Sequence, residues 1–469
     1  MFNLDRFLIP SILYYMKRFF LSGLLVIFIS GFSVYGQTNW LKLIDESSLT
    51  GWKQLMGKAT FANYKGTIAA TNAFDSVNSY LATEAEYGDF VLEMEVFMDD
   101  SLFSAGLQFR SHFEKFGNGG KGKVYGYNCE IDPTSRNWTG GIYDQGRRGW
   151  LYPLSLGPKM PGWRLKDFNK IRIECIGNET RTWVNGTPAA CLVDMTDYSG
   201  FIAIEIPGTT KAGMVGHHVF FGNMRIKSLS KFTQDLPKGF YVMNLIPNSL
   251  TDFEIKSGWK LLFDGETSKG WRGAYKDSFP SKGWEIQDGL ITVLSSEGKE
   301  GANGGDIVTL DQYKSFDLSF DFRITPGANS GVKYFVTLKE KNEGSAIGLE
   351  YQILDDSLHP DAKLGRDGDR TMSSLYDLIT AVKPKQFIHP VGKWNTGRII
   401  VYPNNHVEHY LNGIKVLEYE RGSPAFRSLV AVSKYKIWPG FGEAPEGHIL
   451  LQDHGNEVSF RSIKIRKLE

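Results

Sequence analysis

The stretch Phe316-Asp317-Leu318-Ser319-Phe320-Asp321-Phe322-Arg323-Ile324 puts an apolar residue at every second position. Successive side chains of a strand point to opposite faces, so this period describes a strand with one buried face. A helix would bring its apolar residues round every three to four positions. Phe90, Leu92, Met94 and Val96 repeat the alternation in the first half of the chain. Asn412-Gly413, between the apolar-rich runs 407–411 and 414–417, is a hairpin signal, because both residue types accept the positive φ of a tight turn. Amphipathic helical patterns are scarce. An antiparallel β-sandwich with its loops at the rims follows.

The alternation occurs twice because the chain repeats itself. Leu43-Ile44-Asp45 and Gly51-Trp52 match Leu262-Phe263-Asp264 and Gly270-Trp271. Ser104-Ala105-Gly106 matches Asn329-Ser330-Gly331, and Ile142-Tyr143-Asp144 matches Leu375-Tyr376-Asp377. Val184-Asn185-Gly186 pairs with Leu411-Asn412-Gly413, and Met224-Arg225-Ile226 with Ile463-Lys464-Ile465. The order never breaks, which is the mark of a duplication. The chain of 469 residues divides into a leader at 1–36, a first copy at 37–230, a linker at 231–257 that carries Pro237, Gly239 and Pro247, and a second copy at 258–469.

Composition narrows the function. The 53 basic residues balance 52 acidic ones, so no electrostatic footprint for nucleic acid exists. Aromatic residues make up 13% of the chain, enough to pack strands and to stack on sugar rings. Cys129, Cys175 and Cys191 show no metal-type spacing; a Cys175–Cys191 bridge and buried free thiols both stay open.

Lys17-Arg18 precedes an apolar run over residues 19–30, and Val34 and Gly36 stand at −3 and −1 of a cleavage site before Gln37. This is the pattern of a signal peptide, with Met16 the more natural start. The expectation is an exported protein, periplasmic, cell-surface or secreted, with no transmembrane domain after leader removal.

Two stretches of the second copy carry candidate chemistry. In Gly348-Leu349-Glu350-Tyr351-Gln352-Ile353-Leu354-Asp355-Asp356, Glu350 and Gln352 share one strand face, while Leu349, Tyr351 and Ile353 share the other. In Gly447-His448-Ile449-Leu450-Leu451-Gln452-Asp453-His454-Gly455, Gln452 and His454 share a face, and a histidine at a strand end beside a carboxylate suits a general base near neutral pH. The first copy has Pro207 in place of His454, Asn128 opposite Glu350 and Glu130 opposite Gln352. The frame is shared while the reactive side chains differ. His409 lies on a face with Val407 and Leu411 and reads as a packed core histidine, and Asp367-Gly368-Asp369 lacks the ligand spacing of a calcium loop.

These motifs, together with Trp284-x-x-x-Asp288-Gly289 and Trp394-Asn395, make the second copy resemble the 3-keto-disaccharide hydrolase domain family along nearly its whole length. The first copy resembles a divergent member that lacks the histidine. The resemblance implies two tandem concanavalin A-like jelly-roll β-sandwiches, all-β, and cleavage of an oligosaccharide or glycoside already oxidised at sugar C3.

A C3 ketone acidifies the C2 proton, so a modest base removes it and the C1 substituent is expelled; addition of water completes a net hydrolysis. Such a route needs a base, a stabiliser for the enolate oxygen and an acid for the leaving group. His454 or Glu350 could be the base, and Lys333 or Arg323 could face the enolate. Gln352, Gln452, Asn329 and Tyr376 are expected to hold the sugar, with Trp394 a weaker stacking platform. A divalent ion polarising the ketone is a further expectation, with Asp453, His454 and Glu350 as its candidate ligands. Two rivals stand beside this: a carbohydrate-binding protein without catalysis, and an ordinary glycosidase pairing Glu350 with Asp355 or Asp356.

Overall fold

The computed structural model describes residues 39–98, 100–116, 122–154, 162–339, 341–342 and 345–469. The expected leader at 1–36 lies outside them. Among the described residues, no helix is long and apolar enough to cross a membrane.

Each copy is a sandwich of two antiparallel sheets, and the strand orders coincide. In the second copy one sheet runs Trp284–Gln287, Leu290–Val293, Val458–Lys467, Phe316–Ile324, Asn395–Val401, His406–Leu411, Ile414–Glu420. The facing sheet runs Trp271–Gly273, Ile307–Thr309, His448–Leu451, Asn329–Val336, Leu349–Leu354. In the first copy the facing sheet runs Trp52–Leu55, Ser79–Tyr87, Gly200–Ile206, Ala105–Lys115, Gly122–Ile131 and continues into Ile142–Gln145 and Gly149–Tyr152. Local features repeat as well. Asn185-Gly186 and Asn412-Gly413 both turn their hairpins with positive φ at each residue. Arg110 and Phe335, at equivalent bulges, share a left-handed backbone (φ 46° and 54°).

Phe316, Leu318, Phe320, Phe322 and Ile324 enter the core of the second copy against Val332, Tyr334, Tyr351 and Ile353. Burial of each large side chain is worth about 1.5–3 kcal/mol. His409 is part of this packing: it bonds Tyr334 Oη (2.9 Å) and Ser373 O (3.1 Å), and burial pushes its pKa down to about 4. Cys129, Cys175 and Cys191 are free and buried, with no bridge.

The alternating strand differs from expectation on its polar face. Asp317 and Ser319 are also buried. Arg398 grips Asp317 through Nε and Nη2 (both 2.7 Å) while its guanidinium lies 4.0 Å from the Tyr241 ring, and Arg466 bonds both Asp317 and the carbonyl of Gly239. Tyr241 and Gly239 belong to segment 231–257. The polar face is covered because that segment packs along it, with Leu236, Phe240, Tyr241, Val242 and Met243 buried. Phe387, Ile400, Tyr410 and Ile414 of the second copy join the apolar cluster of the first.

Candidate functional site

The outer face of the smaller sheet in the second copy floors an open, mostly polar cavity. Its lining includes Asn329, Lys333, Glu350, Tyr376, Gln452 and His454, all singled out by the sequence, together with Glu300, Lys434, Tyr435 and Trp438, which were not.

Strand register explains the floor. Lys333 stands opposite Glu350, and Gly331 opposite Gln352. Gln452 donates its backbone N–H to the Gly331 carbonyl (3.0 Å), so Gln352, Gly331 and Gln452 form one row across three strands. A Cβ at Gly331 would stand 2.5 Å from Glu350 Oε1, so any larger residue would push that carboxylate aside. Lys333 Nζ donates to the Ala346 carbonyl (3.0 Å) and faces Glu350 Oε2 at 3.9 Å. Gln352 lies beneath, its amide between Asn329 and Glu350. Among the described residues Gln452 Oε1 is buried with no hydrogen-bond partner, an acceptor held at the cavity wall.

Burial pushes the Glu350 carboxyl above its ordinary value, only partly offset by the positive charges of Lys333 and Lys434 and by His454. His454 is half-buried on the turn closed by Gly455 (φ 81°), with Nε2 3.9 Å from Glu300 Oε2. The ring of His359 meets it edge-on, centroids 6.0 Å apart. Burial and the neighbouring His454 lower the pKa of His359. Tyr376 donates its hydroxyl to Asp361 (2.7 Å) and presents its ring to Lys434.

The other sequence candidates lie elsewhere. Asp355 turns its carboxylate onto the backbone N–H groups of Gly327 (2.9 Å), Ser357 (3.0 Å) and Leu358 (3.3 Å). Burial raises its pKa, but these amides outweigh that and hold it below the usual carboxylate range. Arg323 belongs to the opposite sheet and Trp394 directly precedes its strand Asn395–Val401, and the Arg323 and Arg461 guanidinium groups lie 4.9 and 4.1 Å from the Trp394 ring.

Asp453 does not fit a metal with His454 and Glu350. One of its oxygens accepts from Gly304 and Gly305, the other from Gly455, and its backbone N–H is held by Asp306. The carboxylate is committed to shaping the loop that carries His454. Among the described residues, possible ligand atoms gather at His406, Glu408 and Glu418, where Lys415 Nζ already bonds both carboxylates (3.1 and 2.6 Å).

The equivalent place in the first copy has the same layout and different chemistry. Register puts Gln108 at the position of Lys333, Asn128 at Glu350, Glu130 at Gln352 and Glu205 at Gln452. Glu205 accepts from Gln108 (2.8 Å) and Asn78 (2.6 Å), and burial raises its pKa. The strands Thr187–Val193 and Gly200–Ile206 are joined there by 194–199 alone. In the second copy residues 421–447 intervene between Ile414–Glu420 and His448–Leu451. That insertion bears the helix Pro424–Val432 and brings Lys434, Tyr435 and Trp438 to the cavity.

Two sandwiches of one topology, one of them with a polar, partly cationic cavity, define a duplicated β-sandwich protein whose second copy carries the candidate site. The chain belongs to the family of 3-keto-alpha-glucoside-1,2-lyase-like domains, whose model matches residues 39–227 and 258–466. A 3-keto-disaccharide hydrolase of Bacteroides thetaiotaomicron is 40% identical over 233 residues, 45% of this chain and 79% of that protein. A solved Parabacteroides distasonis protein assigned as a glycosyl hydrolase is 30% identical, spanning 48% of this chain and 100% of its own, with a TM-score of 0.41. A second solved protein from that organism with the same assignment is 29% identical over 45% of this chain and 99% of its own, with a TM-score of 0.35.

Proposed function

We propose that this glycoside-cleaving hydrolase cuts 3-keto-glycosides in the cavity of its second copy by elimination followed by hydration. The observation that carries the mechanism is the placement of Glu350 and His454 on one cavity, the first with its pKa raised by burial. His454 takes the C2 proton, and the C–H electrons pass toward the C3 oxygen as an enolate. The enolate collapses back to the ketone, forms a C1=C2 double bond and expels the C1 oxygen with its electron pair. Glu350, kept protonated further toward neutrality than an ordinary carboxyl, donates a proton to that oxygen. Water then adds across C1=C2, oxygen to C1 and hydrogen to C2, and no oxidant is consumed.

The conserved frame with altered side chains in the first copy supports one catalytic and one accessory sandwich. A two-carboxylate glycosidase has less support, because Asp355 is held by backbone amides and Asp356 by Met372 N (2.7 Å) and Lys383 (2.8 Å). Export is part of the proposal, supported by Lys17-Arg18 and the apolar run that follows; N-terminal sequencing of protein from cell fractions should find Gln37 first. Incubating the full chain with matched oxidised and unoxidised disaccharides tests the activity. Monosaccharide should appear from the 3-keto compound alone, and equal release from both would overturn the proposal.

A further inference from the structure

Two lysines reach the cavity, and their surroundings differ. Lys333 is tied down, its ammonium donating to Ala346 O and facing Glu350 from the neighbouring strand. Lys434 is not: among the described residues its ammonium meets no hydrogen-bond acceptor or carboxylate within bonding distance. It stands 4.1 Å from the centre of the Tyr376 ring and 5.2 Å from that of Tyr435. Its backbone, by contrast, is fixed. Lys434 N donates to Asp377 Oδ2 (2.8 Å), Ser433 caps the turn by accepting from Tyr435 N (3.1 Å), and Tyr435 stacks on Phe441 with centroids 3.9 Å apart.

We propose that Lys434 binds the C3 carbonyl oxygen of the substrate and holds it as negative charge develops there. This rests on the elimination route above and assigns the electrophilic role that route leaves open. An ammonium between two aromatic rings and one cavity wall is a cation whose strongest remaining partner is an anion arriving in the cavity. The enolate oxygen is that anion, and the neutral ketone is not, so the contact strengthens on the way to the transition state. Lys333 already serves Glu350 and would give up a made contact to do the same. The insertion 421–447 brings in Lys434 beside the very carboxylate that the first copy replaces by Asn128, so the acid and the electrophile are present together or absent together. Burial lowers the Lys434 pKa, opposed by Glu350 and reinforced by Lys333, while Asp377 and Arg370 add opposing charges from the adjoining loop. The ammonium is thereby a better proton donor to an enolate.

The test uses full-length protein and two readouts: cleavage of a 3-keto-disaccharide, and exchange of the C2 hydrogen of a 3-keto-monosaccharide in D2O, which needs an enolate but no leaving group. Lys434→Met and Lys434→Gln should each lower both by about 10²–10³-fold, the usual loss for one donor to a developing oxyanion. Lys434→Arg should restore part of both. Circular dichroism and melting should match the parent, since the Lys434 ammonium makes no hydrogen bond or ion pair among the described residues. Near-parental exchange and cleavage in both Lys434→Met and Lys434→Gln would overturn the proposal, as would loss of cleavage with exchange intact. Parent protein that neither cleaves nor exchanges a 3-keto sugar would instead overturn the elimination route itself.

Discussion

Gly331 makes room for Glu350: a Cβ on the first would stand 2.5 Å from Oε1 of the second and 3.0 Å from its Cδ. Gly106 and Asn128 repeat the relationship in the first copy, so the missing side chain belongs to the ancestral frame and not to the catalytic copy alone. Gly331→Ala should displace the Glu350 carboxyl while leaving every catalytic side chain chemically intact. A misplacement of about 1 Å costs on the order of 10²-fold in rate, and kcat should fall by that much while the far-ultraviolet spectrum is kept. Steady-state kinetics beside a melting curve checks it.

His454→Ala should lower turnover of a 3-keto-glycoside by about 10²–10⁴-fold, the usual contribution of a positioned general base. Glu350→Gln preserves shape and removes the proton, and should be similarly impaired at every pH where the parent is active. Asn128→Ala and Glu130→Gln, at the aligned face of the first copy, should leave kcat largely intact. A rate loss in the first-copy variants that matches His454→Ala would place the chemistry in both sandwiches.

Parent activity should fall as pH rises through the elevated pKa of Glu350, because the acid is then lost. The direction follows from burial, which disfavours its charged form, outweighing Lys333, Lys434 and His454. The alkaline limb of the kcat profile measures it, and that limb should be missing for substrates whose leaving group needs no proton.

Glu130 makes stability pH-dependent in the first copy. Burial, and then the charge of Glu205, push its carboxyl from 4.5 up to about 8. Below 4.5 both folded and unfolded chains hold the proton and stability is full. As pH climbs toward 8 the unfolded chain ionises more readily, and stability declines by at most about 1.4 kcal/mol per pH unit. Arg136, 3.0 Å from Glu130, reduces that loss. Glu130→Gln should therefore flatten the melting temperature against pH across this window and raise it at the alkaline end, as differential scanning fluorimetry would show.

Residues 258–469 expressed alone should be β-rich but less stable than the same sandwich in the full chain. Phe387, Ile400, Tyr410 and Ile414, which pack with the first copy, would face water, and Arg398 would lose Tyr241. Extending the fragment to begin at 231 should restore part of the melting temperature, since it returns Tyr241 and the helix Asp252–Lys256. A fragment from 258 as stable as the full chain would show that these contacts contribute little.

The strand set and the doubled frame were legible because alternation and hairpin turns are local, and the cavity floor was legible because strand register carries Glu350, Gln352 and Gln452 to predictable faces. Arg323 and Asp355 show where locality ends. Both follow promising motifs, yet one lies in the opposite sheet and stacks on Trp394, and the other is consumed by loop amides. Asp317 differs in kind: alternation alone marks its face as solvated, and segment 231–257, which no local pattern places there, covers it. Lys434 carried no motif. Its signal was the length of 421–447 against 194–199, which marks an insertion at a cavity edge but not which side chain it delivers.

The most direct measurement is to follow a 3-keto-disaccharide carrying deuterium at C2 through cleavage by the full chain in ordinary water. Proton abstraction at C2 predicts that the released 3-keto-monosaccharide has exchanged its deuterium for solvent hydrogen, that the labelled substrate turns over more slowly than the unlabelled one, and that His454→Ala slows exchange and turnover together. Release of a sugar that keeps its C2 deuterium, at an unchanged rate, would contradict elimination and leave direct displacement at C1 as the chemistry of this cavity.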